Sequence, residues 1–407
     1  MGGVGRTVVE TEAELPAWDW EWECHNLREA WPYLTTTWLR TAEPAIRAAR
    51  PFHTVAHRLD NETAVLPGYV YEGPADVDFD PRTYLGWQPA TGQQACCSGA
   101  QAEAGAREHI EALGPDPFFP TLVLGSPLGY RSEVAFTFWN PDVFRLLVDG
   151  AVKAALAQGV RTVVAPWIPR RVGNQYLIDA MEGHGAATGL WGVEDYLRLT
   201  ADSYEDHVAA LPARRRRRLT EDHDRTARTG LEIVRLDRQE MTAAVPRLAE
   251  LVALSREKYG ANDRPEDVEA ILGGLPAAGV DVRCWVARRG RDLLGSSIGI
   301  RKADQIYIKW VGFDYEALGE HRGVYFTLMF ESPVRDAFTD GVRAVEFGMG
   351  SHEAKVQRNC ESRPVAISFL AADPTLRPPV KELLAAFTAQ REAAFGVTAQ
   401  DASCACH

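Results

Sequence analysis

The sequence lacks the features of a membrane protein or a secreted protein. No apolar run reaches the roughly 18 residues that a membrane-spanning helix needs, and the N-terminus shows no charged region followed by an apolar core. Its seven cysteines are too scattered for a secreted disulfide scaffold; they stand at positions 24, 96, 97, 284, 360, 404 and 406. These absences predict a cytoplasmic protein without a membrane span.

An excess of positive charge is also missing. Lysine and arginine total 44 against 56 aspartates and glutamates, for a formal net charge of −12. A protein that coats nucleic acid non-specifically has the opposite balance, although a local basic patch can still contact RNA. With 407 residues, of which 46% are hydrophobic, the chain can bury sizeable cores and is expected to form two domains.

Two common nucleophile patterns and a metal-ligand pattern are absent as well. Gly125-Ser126-Pro127 lacks the Gly-x-Ser-x-Gly frame of a serine nucleophile. Nothing near Cys96 and Cys97 in the sequence would activate a thiolate, and no histidine spacing supports Cys360 as a nucleophile. The tail from Cys404 through Cys406 to His407 has no second ligand pair, so we expect a flexible tail and no metal site.

The hydrophobic periodicity predicts an α/β chain in two halves of similar order. The first half reads as a hairpin, a strand, a helix, a strand, a helix and a strand, at 53–59 with 64–70, 121–125, 141–158, 162–166, about 174–184, and 194–199. The second reads as a strand, two helices, a three-strand meander, a helix, a strand, a helix and a strand, at 231–236, about 239–259 and 264–274, 282–288, 293–300, 305–310, about 323–339, 343–347 and 365–370. This order makes an internal structural duplication plausible.

The predicted domains follow from that order. We expect an N-terminal extension, a first domain with a loop or lid, a basic connecting helix, a second domain and a flexible tail, at 1–29, 30–200 with the lid at about 72–118, 201–230, 231–390 and 391–407.

The most informative stretch joins a short apolar strand to a Gly-x-Gly turn. The strand holds Glu346 near its end, and the turn Gly348-Met349-Gly350 delivers His352, Glu353 and Lys355 to one rim. Glycine permits positive φ and close approach of another molecule to the main chain. Because open α/β sheets bind ligands beyond the carboxyl ends of their strands, this stretch is expected to form the edge of a site.

Three motifs carry a resemblance to a known group. They are the basic helix Leu211–Leu219 leading to Thr229–Ile233, the strand Tyr307–Asp314, and the stretch Glu346–Lys355. Together they resemble the tandem-GNAT FemAB-like group, which includes the aminoacyl-tRNA-dependent Fem ligases and related acyltransferases, over roughly residues 30–385. The resemblance implies two GNAT-like domains, each with a mixed central sheet flanked by helices. It also implies transfer of an acyl or aminoacyl group from an activated donor to an amine of a small metabolite or peptide, without a tightly bound cofactor.

The identity of the donor stays open. At the position where acetyl-CoA-dependent relatives have Arg/Gln-x-x-Gly-x-Gly/Ala, the segment 320–326 keeps Arg322 and Gly323 but departs elsewhere. This departure weakens the case for ordinary acyl-CoA binding. The donor is expected to be aminoacyl-tRNA, acyl-CoA or an acyl carrier thioester. The departure also favours the alternative of a non-catalytic protein in which a degenerate transferase fold serves as a binding or scaffold subunit.

Roles for individual residues follow from the chemistry of acyl transfer to an amine, which needs a base or proton relay, oxyanion donors and a holder for the leaving group. We predict Glu346 or Glu353 as the base, Tyr307 as proton relay or oxyanion donor, main-chain amides near Gly348 and Gly350 for the oxyanion, and Lys309, Arg322, His352 and Lys355 as holders of substrate anions. Strand alternation places Tyr307, Lys309 and Val311 on one face, opposite Ile306, Ile308 and Trp310.

Structural alternatives stand beside these roles. Glu346 is equally suited to an ion pair with Arg343 or Arg322, and Ser351 followed by an acid is a good helix start. Contact with the phosphates of tRNA or of another donor is predicted for Arg214, Arg215, Arg217 and Arg218. The same helix also fits a solvated element whose arginines pair with the acids at 221, 222 and 224.

Overall fold

The computed structural model describes residues 8–12, 15, 31–46, 48–57, 63–74, 79–86, 104–114, 116–170, 174–258, 264–319 and 322–398. The chain divides into two compact units, the first being Met1–Val193 with Arg363–His407 and the second Glu194–Ser362. The predicted domains run consecutively along the chain, whereas the first unit takes up the C-terminal segment. Cys96, Cys97 and the residues from 399 onward, including Cys404, Cys406 and His407, lie outside the described residues.

The first unit is built on one antiparallel sheet and on strands of a mixed sheet, with helices around them. Its strands are β1 Val8–Glu12, β2 Ala49–Pro51, β3 His53–His57, β4 Thr63–Leu66, β5 Gly68–Tyr71, β6 Thr121–Leu124, β7 Ala135–Phe136, β8 Thr162–Pro169, the start of β9 Ala187–Arg198, and most of β15 Glu361–Ala371. Its helices are α1 Thr36–Ala42, α2 Pro81–Tyr84, α3 Ala104–Glu111, α4 Pro141–Ala157, α5 Gln175–Gly183 and α14 Arg377–Phe395. The predicted hairpin is confirmed, because β3 pairs with β4 in antiparallel fashion.

The sheets of the first unit follow a simple order. One sheet has the order β1-β3-β4-β7, and in the other β15, β8, β6, β5 and β2 are successive neighbours. The pair β8–β6 is parallel and the pairs β15–β8 and β6–β5 are antiparallel. Helix α4 begins at the cap Asn140, whose side chain accepts from the main-chain N–H groups of Asp142 and Val143. It buries one apolar stripe in a cluster that includes residues of both sheets, among them Ala56 of β3 and Leu122 of β6. The region predicted as a lid contains α2 and α3 in its described part.

The second unit contains the predicted meander. Its strands are β10 Glu232–Arg235, β11 Asp281–Arg289, β12 Asp292–Lys302, β13 Gln305–Phe313 and β14 Ala344–Gly348. Its helices are α6 Tyr204–Ala210, α7 Ala213–Arg228, α8 Arg238–Glu257, α9 Pro265–Ala277, α10 Tyr315–Leu318, α11 Arg322–Phe326, α12 Ser332–Thr339 and α13 His352–Val356, with a π-helical turn at Thr327–Glu331. The strands are neighbours in the order β10-β11-β12-β13-β14, and the end of β9, residues 195–198, pairs with β14.

Each face of this sheet packs on its own apolar cluster. One face, called here the α12 face, carries Leu197, Ile306, Ile308 and Phe347. These residues pack with Phe330 of the π-helical turn and with Val334 of α12. The other, the α8 face, carries Cys284, Val286 and Ile298, which pack with Leu248 and Val252 of α8. Two helical layers therefore enclose the sheet, as expected for an α/β fold.

A β-bulge corrects the predicted faces of β13. Ile298 of β12 pairs with Trp310 and the next residue pairs with Ile308, so Lys309 is the extra residue of the bulge. A bulge inverts alternation beyond it. Val311 accordingly packs with Ile308 on the α12 face, while Trp310 packs on the α8 face. The prediction that Trp310 shares a face with Ile308 is wrong for this reason.

Strands β13 and β14 separate partway along their length. Their parallel pairing joins residues 305–307 to residues 344–346. Beyond Tyr307 and Glu346 each strand continues, β13 to Phe313 and β14 to Gly348, without further pairing between the two. The separation leaves an opening in the sheet, called here the strand gap, which begins beside Glu346.

Candidate functional site

The Gly-x-Gly turn after β14 is held by a buried lysine. Gly348 and Gly350 adopt φ values of +65° and +84°, so the expected left-handed conformation is confirmed. Lys355 is only 1% exposed, and its Nζ donates to the main-chain oxygens of Gly348 at 2.7 Å and Met349 at 3.2 Å. The ammonium group of Lys355 therefore holds the turn from inside the protein.

A buried aspartate completes this arrangement. Asp195, from the end of β9, is 0% exposed, and its Oδ2 lies 3.7 Å from Lys355 Nζ. Its Oδ1 accepts from His352 Nδ1 at 2.9 Å and from Ser362 Oγ at 2.7 Å. Burial lowers the pKa of Lys355 to about 8, while the nearby charge of Asp195 acts in the opposite direction.

Sequence reasoning missed Asp195. The residue lies 157 positions before His352, in a segment read only as an apolar strand. One signal in the sequence could have found it: two adjacent acids, Glu194 and Asp195, stand inside a predicted strand. Acids buried in a strand need a cationic or hydrogen-bonding partner, and both of these are buried.

Cys360, close to this network, is a buried thiol. Cys360 is 9% exposed, and burial raises its pKa to about 12. A thiol in that state carries almost no thiolate at neutral pH. The other free thiol of the described residues, Cys284, is buried in the cluster under α8, and burial raises its pKa too.

Two of the predicted catalytic residues come together on the α8 face. Glu346 pairs in register with Tyr307 of β13 on one side and with Tyr196 of β9 on the other. Glu346 is 6% exposed and Tyr307 is 7% exposed. The hydroxyl of Tyr307 donates to Gln305 Oε1 at 2.8 Å, and that of Tyr196 donates to Glu361 Oε2 at 2.9 Å. This acid and its flanking tyrosines lie where the strand gap begins.

The other predicted residues lie apart from that group. Glu353 is exposed on α13 and accepts from Gln357 Nε2 at 2.9 Å. Lys309, at the bulge, places its Nζ 5.8 Å from the centre of the Trp310 ring. The side chain of Arg322 lies outside the described residues. Of the predicted site residues, Glu346 and Tyr307 thus lie together on the α8 face, and His352 and Lys355 lie around Asp195.

An open pocket of about 580 Å³ lies on the α12 face. It is lined by Leu197, Tyr204, His207, Leu211, Arg215, Arg218, Leu219, Asp222, Phe326, Phe330, Glu331, Val334, Gln357 and Arg358. Its apolar residues belong mainly to α6, α7 and the helical segment after β13, and its guanidinium groups come from α7 and from the chain after α13. This composition suits a ligand with an apolar group and a negative charge.

The pocket cations have different partners. Arg358 binds Asp222 and lies over the Phe326 ring, 3.3 Å from its centre. Arg215 binds the side chain of Asn359, and Arg218 binds the side chain of Gln357. The last two contacts are to neutral amides, which an anionic ligand can replace at little cost because charged acceptors bind guanidinium more strongly.

The other arginines of the run 214–218 have different surroundings. Arg217 is 83% exposed and pairs with Glu221 one turn later, at 2.8 Å. Arg216 donates to the main-chain oxygens of Ala209 and Leu211, which ties α7 to the end of α6. Arg214 is exposed. The helix is therefore partly a paired, solvated element and partly a source of pocket cations.

Helix α7 also covers the first turn of α11. A Cβ added to Gly323 would lie 2.6 Å from Arg225 Cβ, 2.9 Å from the main-chain oxygen of Asp222 and 2.9 Å from the main-chain nitrogen of Thr226. The hydroxyls of Thr226 and Thr327 lie 2.9 Å apart and join the same two segments. Gly323, the glycine that the sequence has in common with a phosphate loop, therefore allows α7 to pack closely against α11 in this protein.

Replacing Gly323 by alanine is expected to lower the free energy of unfolding of the second unit by about 1–3 kcal/mol, the usual cost of overpacking. Two of the three atoms that the new Cβ would meet belong to the α7 main chain and cannot swing aside. Gly273→Ala, in α9, is the matched control, because nothing lies within 4 Å of its added Cβ and alanine is favoured over glycine in a helix by up to ~1 kcal/mol. Urea denaturation measures both, and equal stabilities of the two variants would contradict the packing argument.

Two further classes of site were sought among the described residues. No helix there combines the length and apolar character that a membrane crossing needs. The same residues contain no group of three histidine, cysteine or acidic side chains placed to hold a metal ion.

Comparison with known proteins identifies the fold. Residues 213–356 match the family described as acetyltransferase (GNAT) domain. The solved structure of FemX superposes with a TM-score of 0.51 at 10% sequence identity, over 88% of this chain and 96% of that one. The match and the superposition confirm the predicted fold class, a mixed α/β fold of the GNAT type.

Other solved structures resemble the chain more weakly. L-PGS from Bacillus licheniformis gives a TM-score of 0.45 at 12% identity, over 85% of this chain and 92% of that one. A tandem GNAT protein from the clavulanic acid biosynthesis pathway gives 0.43 at 14% identity, over 80% and 84%. No curated protein matches the sequence.

Proposed function

We propose that the protein is an N-acyltransferase or aminoacyltransferase. It moves an acyl or aminoacyl group from an activated ester or thioester to an amine of a small metabolite or peptide, by direct attack and without a covalent enzyme intermediate. The observation that carries the proposal is the strand gap, which begins beside Glu346 and Tyr307 on the α8 face. A cationic pocket lies on the α12 face of the same sheet, where Leu197 of β9 is part of its lining. The acetyltransferase domain match over residues 213–356 supports this reading.

The donor is assigned to the α12 face. The pocket offers apolar walls for an acyl or aminoacyl group and guanidinium groups for the phosphates of its carrier. Because α7 fills the space at Gly323, the first turn of α11 is covered at the point where a phosphate loop needs open main-chain amides. Donor phosphates are therefore assigned to Arg215 and Arg218, and to the exposed Arg214 and Arg217 where the carrier is RNA.

The acceptor amine is assigned to the α8 face. An amine arrives as an ammonium ion, and Glu346 removes a proton so that the nitrogen lone pair can attack the donor carbonyl carbon. Tyr307 lies beside Glu346 and can pass that proton on or donate to the oxyanion. Main-chain amides of the segment from Phe347 to Gly350 are further donors to the oxyanion, since Lys355 fixes that turn.

The test is a donor screen with hydroxylamine as a surrogate acceptor, since an acyl group transferred to it forms a readily measured hydroxamate. Aminoacyl-tRNA, acyl-CoA and an acyl carrier thioester are each supplied to the full chain. Turnover with aminoacyl-tRNA that disappears after ribonuclease treatment and falls steeply with salt assigns an RNA donor. Turnover indifferent to ribonuclease assigns a thioester.

The second candidate is a non-catalytic binding or scaffold protein. The covered first turn of α11 favours it, because that contact removes a phosphate-binding feature without supplying a replacement at the same place. In the same screen, a rise in melting temperature with one donor and no hydroxamate from any donor would support this candidate and contradict the proposed enzyme.

A further inference from the structure

The contacts of His352 show an oriented imidazole. Its Nδ1 lies 2.9 Å from Asp195 Oδ1, and a carboxylate only accepts hydrogen bonds, so Nδ1 is the donor. Asp195 is fully buried and is itself held by Ser362 Oγ at 2.7 Å. With Nδ1 committed to Asp195, Nε2 is the nitrogen that can transfer a proton.

The position of this dyad relates it to the donor side of the sheet. Asp195 and Leu197 are two residues apart on β9 and so share the α12 face, about 7 Å apart. Leu197 lines the pocket. Helix α13 begins at His352 and leads directly into Gln357 and Arg358, which line the same pocket. The dyad does not itself line the pocket, but it is connected to the pocket lining through Leu197 of β9 and through the chain that follows α13.

We infer that His352, oriented by Asp195, is the general acid that protonates the leaving atom of the donor. The inference rests on the proposed function. The amine nitrogen forms a bond to the acyl carbon, and the bond from that carbon to the leaving oxygen or sulfur breaks with its electron pair on the leaving atom. His352 Nε2 gives its proton to that atom. The ammonium nitrogen loses two protons in becoming an amide: Glu346 takes one before the attack, and the other leaves the tetrahedral intermediate for solvent as it collapses. One of these protons returns His352 to its protonated form through solvent, and the other is released.

The two proton transfers, from the amine to Glu346 and from His352 to the leaving atom, take place on opposite faces of the sheet. Glu346 lies on the α8 face, flanked by Tyr307 and Tyr196, whereas the dyad lies on the α12 face. One group collects the proton of the acceptor and the other supplies a proton to the donor. A general acid is needed most when the leaving group is a poor one, such as the oxygen of an aliphatic alcohol.

The imidazole has several charged or titratable neighbours. Asp195 contacts it directly and Glu353 follows it in the chain, while Lys355, Glu194 and Cys360 lie around the Asp195–Lys355 pair. The ammonium of Lys355 lies 3.7 Å from the same carboxylate that binds the imidazole. The test for His352 therefore uses the leaving group as its variable and keeps pH constant.

The decisive variant is His352→Asn. The amide nitrogen of asparagine stands where Nδ1 stands in histidine, so the variant keeps a donor to Asp195 and removes Nε2. Donors carry the same acyl group on an aliphatic alcohol or on p-nitrophenol, with hydroxylamine as acceptor. We expect kcat to fall by about 10²–10⁴-fold with the alcohol ester and by less than ~10-fold with the p-nitrophenyl ester, which needs no acid.

The outcomes separate the two proposals. Equal losses with both esters, or no loss with either, would overturn the role of His352 and leave the proposed function intact. Absence of turnover by the wild-type protein with every donor would overturn both. Ser362→Ala, which removes the second donor to Asp195, is the control for damage to the network and should lower both rates to the same extent.

A measurement on the protein without substrate tests the inference independently of turnover. Nitrogen-15 NMR of the imidazole reports which ring nitrogen is protonated. We expect the neutral form of His352 to carry its proton on Nδ1. A neutral form that carries its proton on Nε2 would contradict the orientation by Asp195 and overturn the inference.

Discussion

Replacing Lys355 by methionine is expected to destabilise the second unit by about 3–5 kcal/mol, the cost of breaking a buried ion pair from one side. Lys355 is 1% exposed and Asp195 is 0% exposed, so the variant would leave a carboxylate in the interior facing an apolar side chain. It would also remove the donor to the main-chain oxygens of Gly348 and Met349. Urea denaturation followed by hydrogen exchange in β14 measures the loss in the unit concerned.

Arg217→Met is the matched control in the same unit. Arg217 is 83% exposed, and its ion pair with Glu221 lies on the surface of α7. Exposed pairs one helical turn apart contribute about 0.3–0.5 kcal/mol. Similar losses for the two variants would mean that the Lys355–Asp195 pair is not buried in solution.

The pH dependence of Lys355 has a definite sign. Burial lowers its pKa from 10.5 to about 8, so between these values the unfolded chain binds more protons than the folded chain. Stability contributed by this residue therefore rises as pH increases from about 8 towards 10.5. We expect the difference in unfolding free energy between the wild type and Lys355→Met to grow over that interval. A difference that shrinks would show that the ammonium, and not the amine, is the form the fold favours.

The fold of the second unit could be read from the sequence because its signals are local. Alternation in β11, β12 and β13, the helix pattern of α8 and the glycines of the turn at Gly348 and Gly350 each depend on neighbours in the chain. All of these elements are present in the structure within a few residues of their predicted bounds. The tandem-GNAT resemblance rested on these local patterns and is confirmed as a likeness of fold.

The arrangement of the site could be read only in part, because it depends on contacts across the chain. The bulge at Lys309 is an adjustment of β13 to β12, and no residue pattern in β13 alone marks it. The burial of Lys355 depends on Asp195, which reaches it through the pairing of β9 with β14. Lys355 was predicted to bind a substrate anion; in the structure its partners are protein groups, so its proposed contribution is to position the turn.

Glu346→Gln is expected to lower kcat by about 10²–10⁴-fold with an alkyl amine as acceptor, because an amide cannot take the ammonium proton. Glutamine keeps the size of the side chain and its place between Tyr307 and Tyr196, so the fold should be retained. Glu269→Gln, at an exposed position of α9, is the control and should leave kcat unchanged. Both are measured by hydroxamate or amide formation with the donor identified in the screen.

The choice of acceptor makes the prediction for Glu346 specific to its role as a base. Hydroxylamine is largely unprotonated at neutral pH, whereas an alkyl amine must lose a proton before it attacks. The loss in Glu346→Gln should therefore be much smaller with hydroxylamine than with the alkyl amine. His352→Asn should show the complementary pattern, sensitive to the leaving group and insensitive to the acceptor. A loss in Glu346→Gln that is equal for both acceptors would place the base elsewhere and leave Glu346 a structural acid of the sheet.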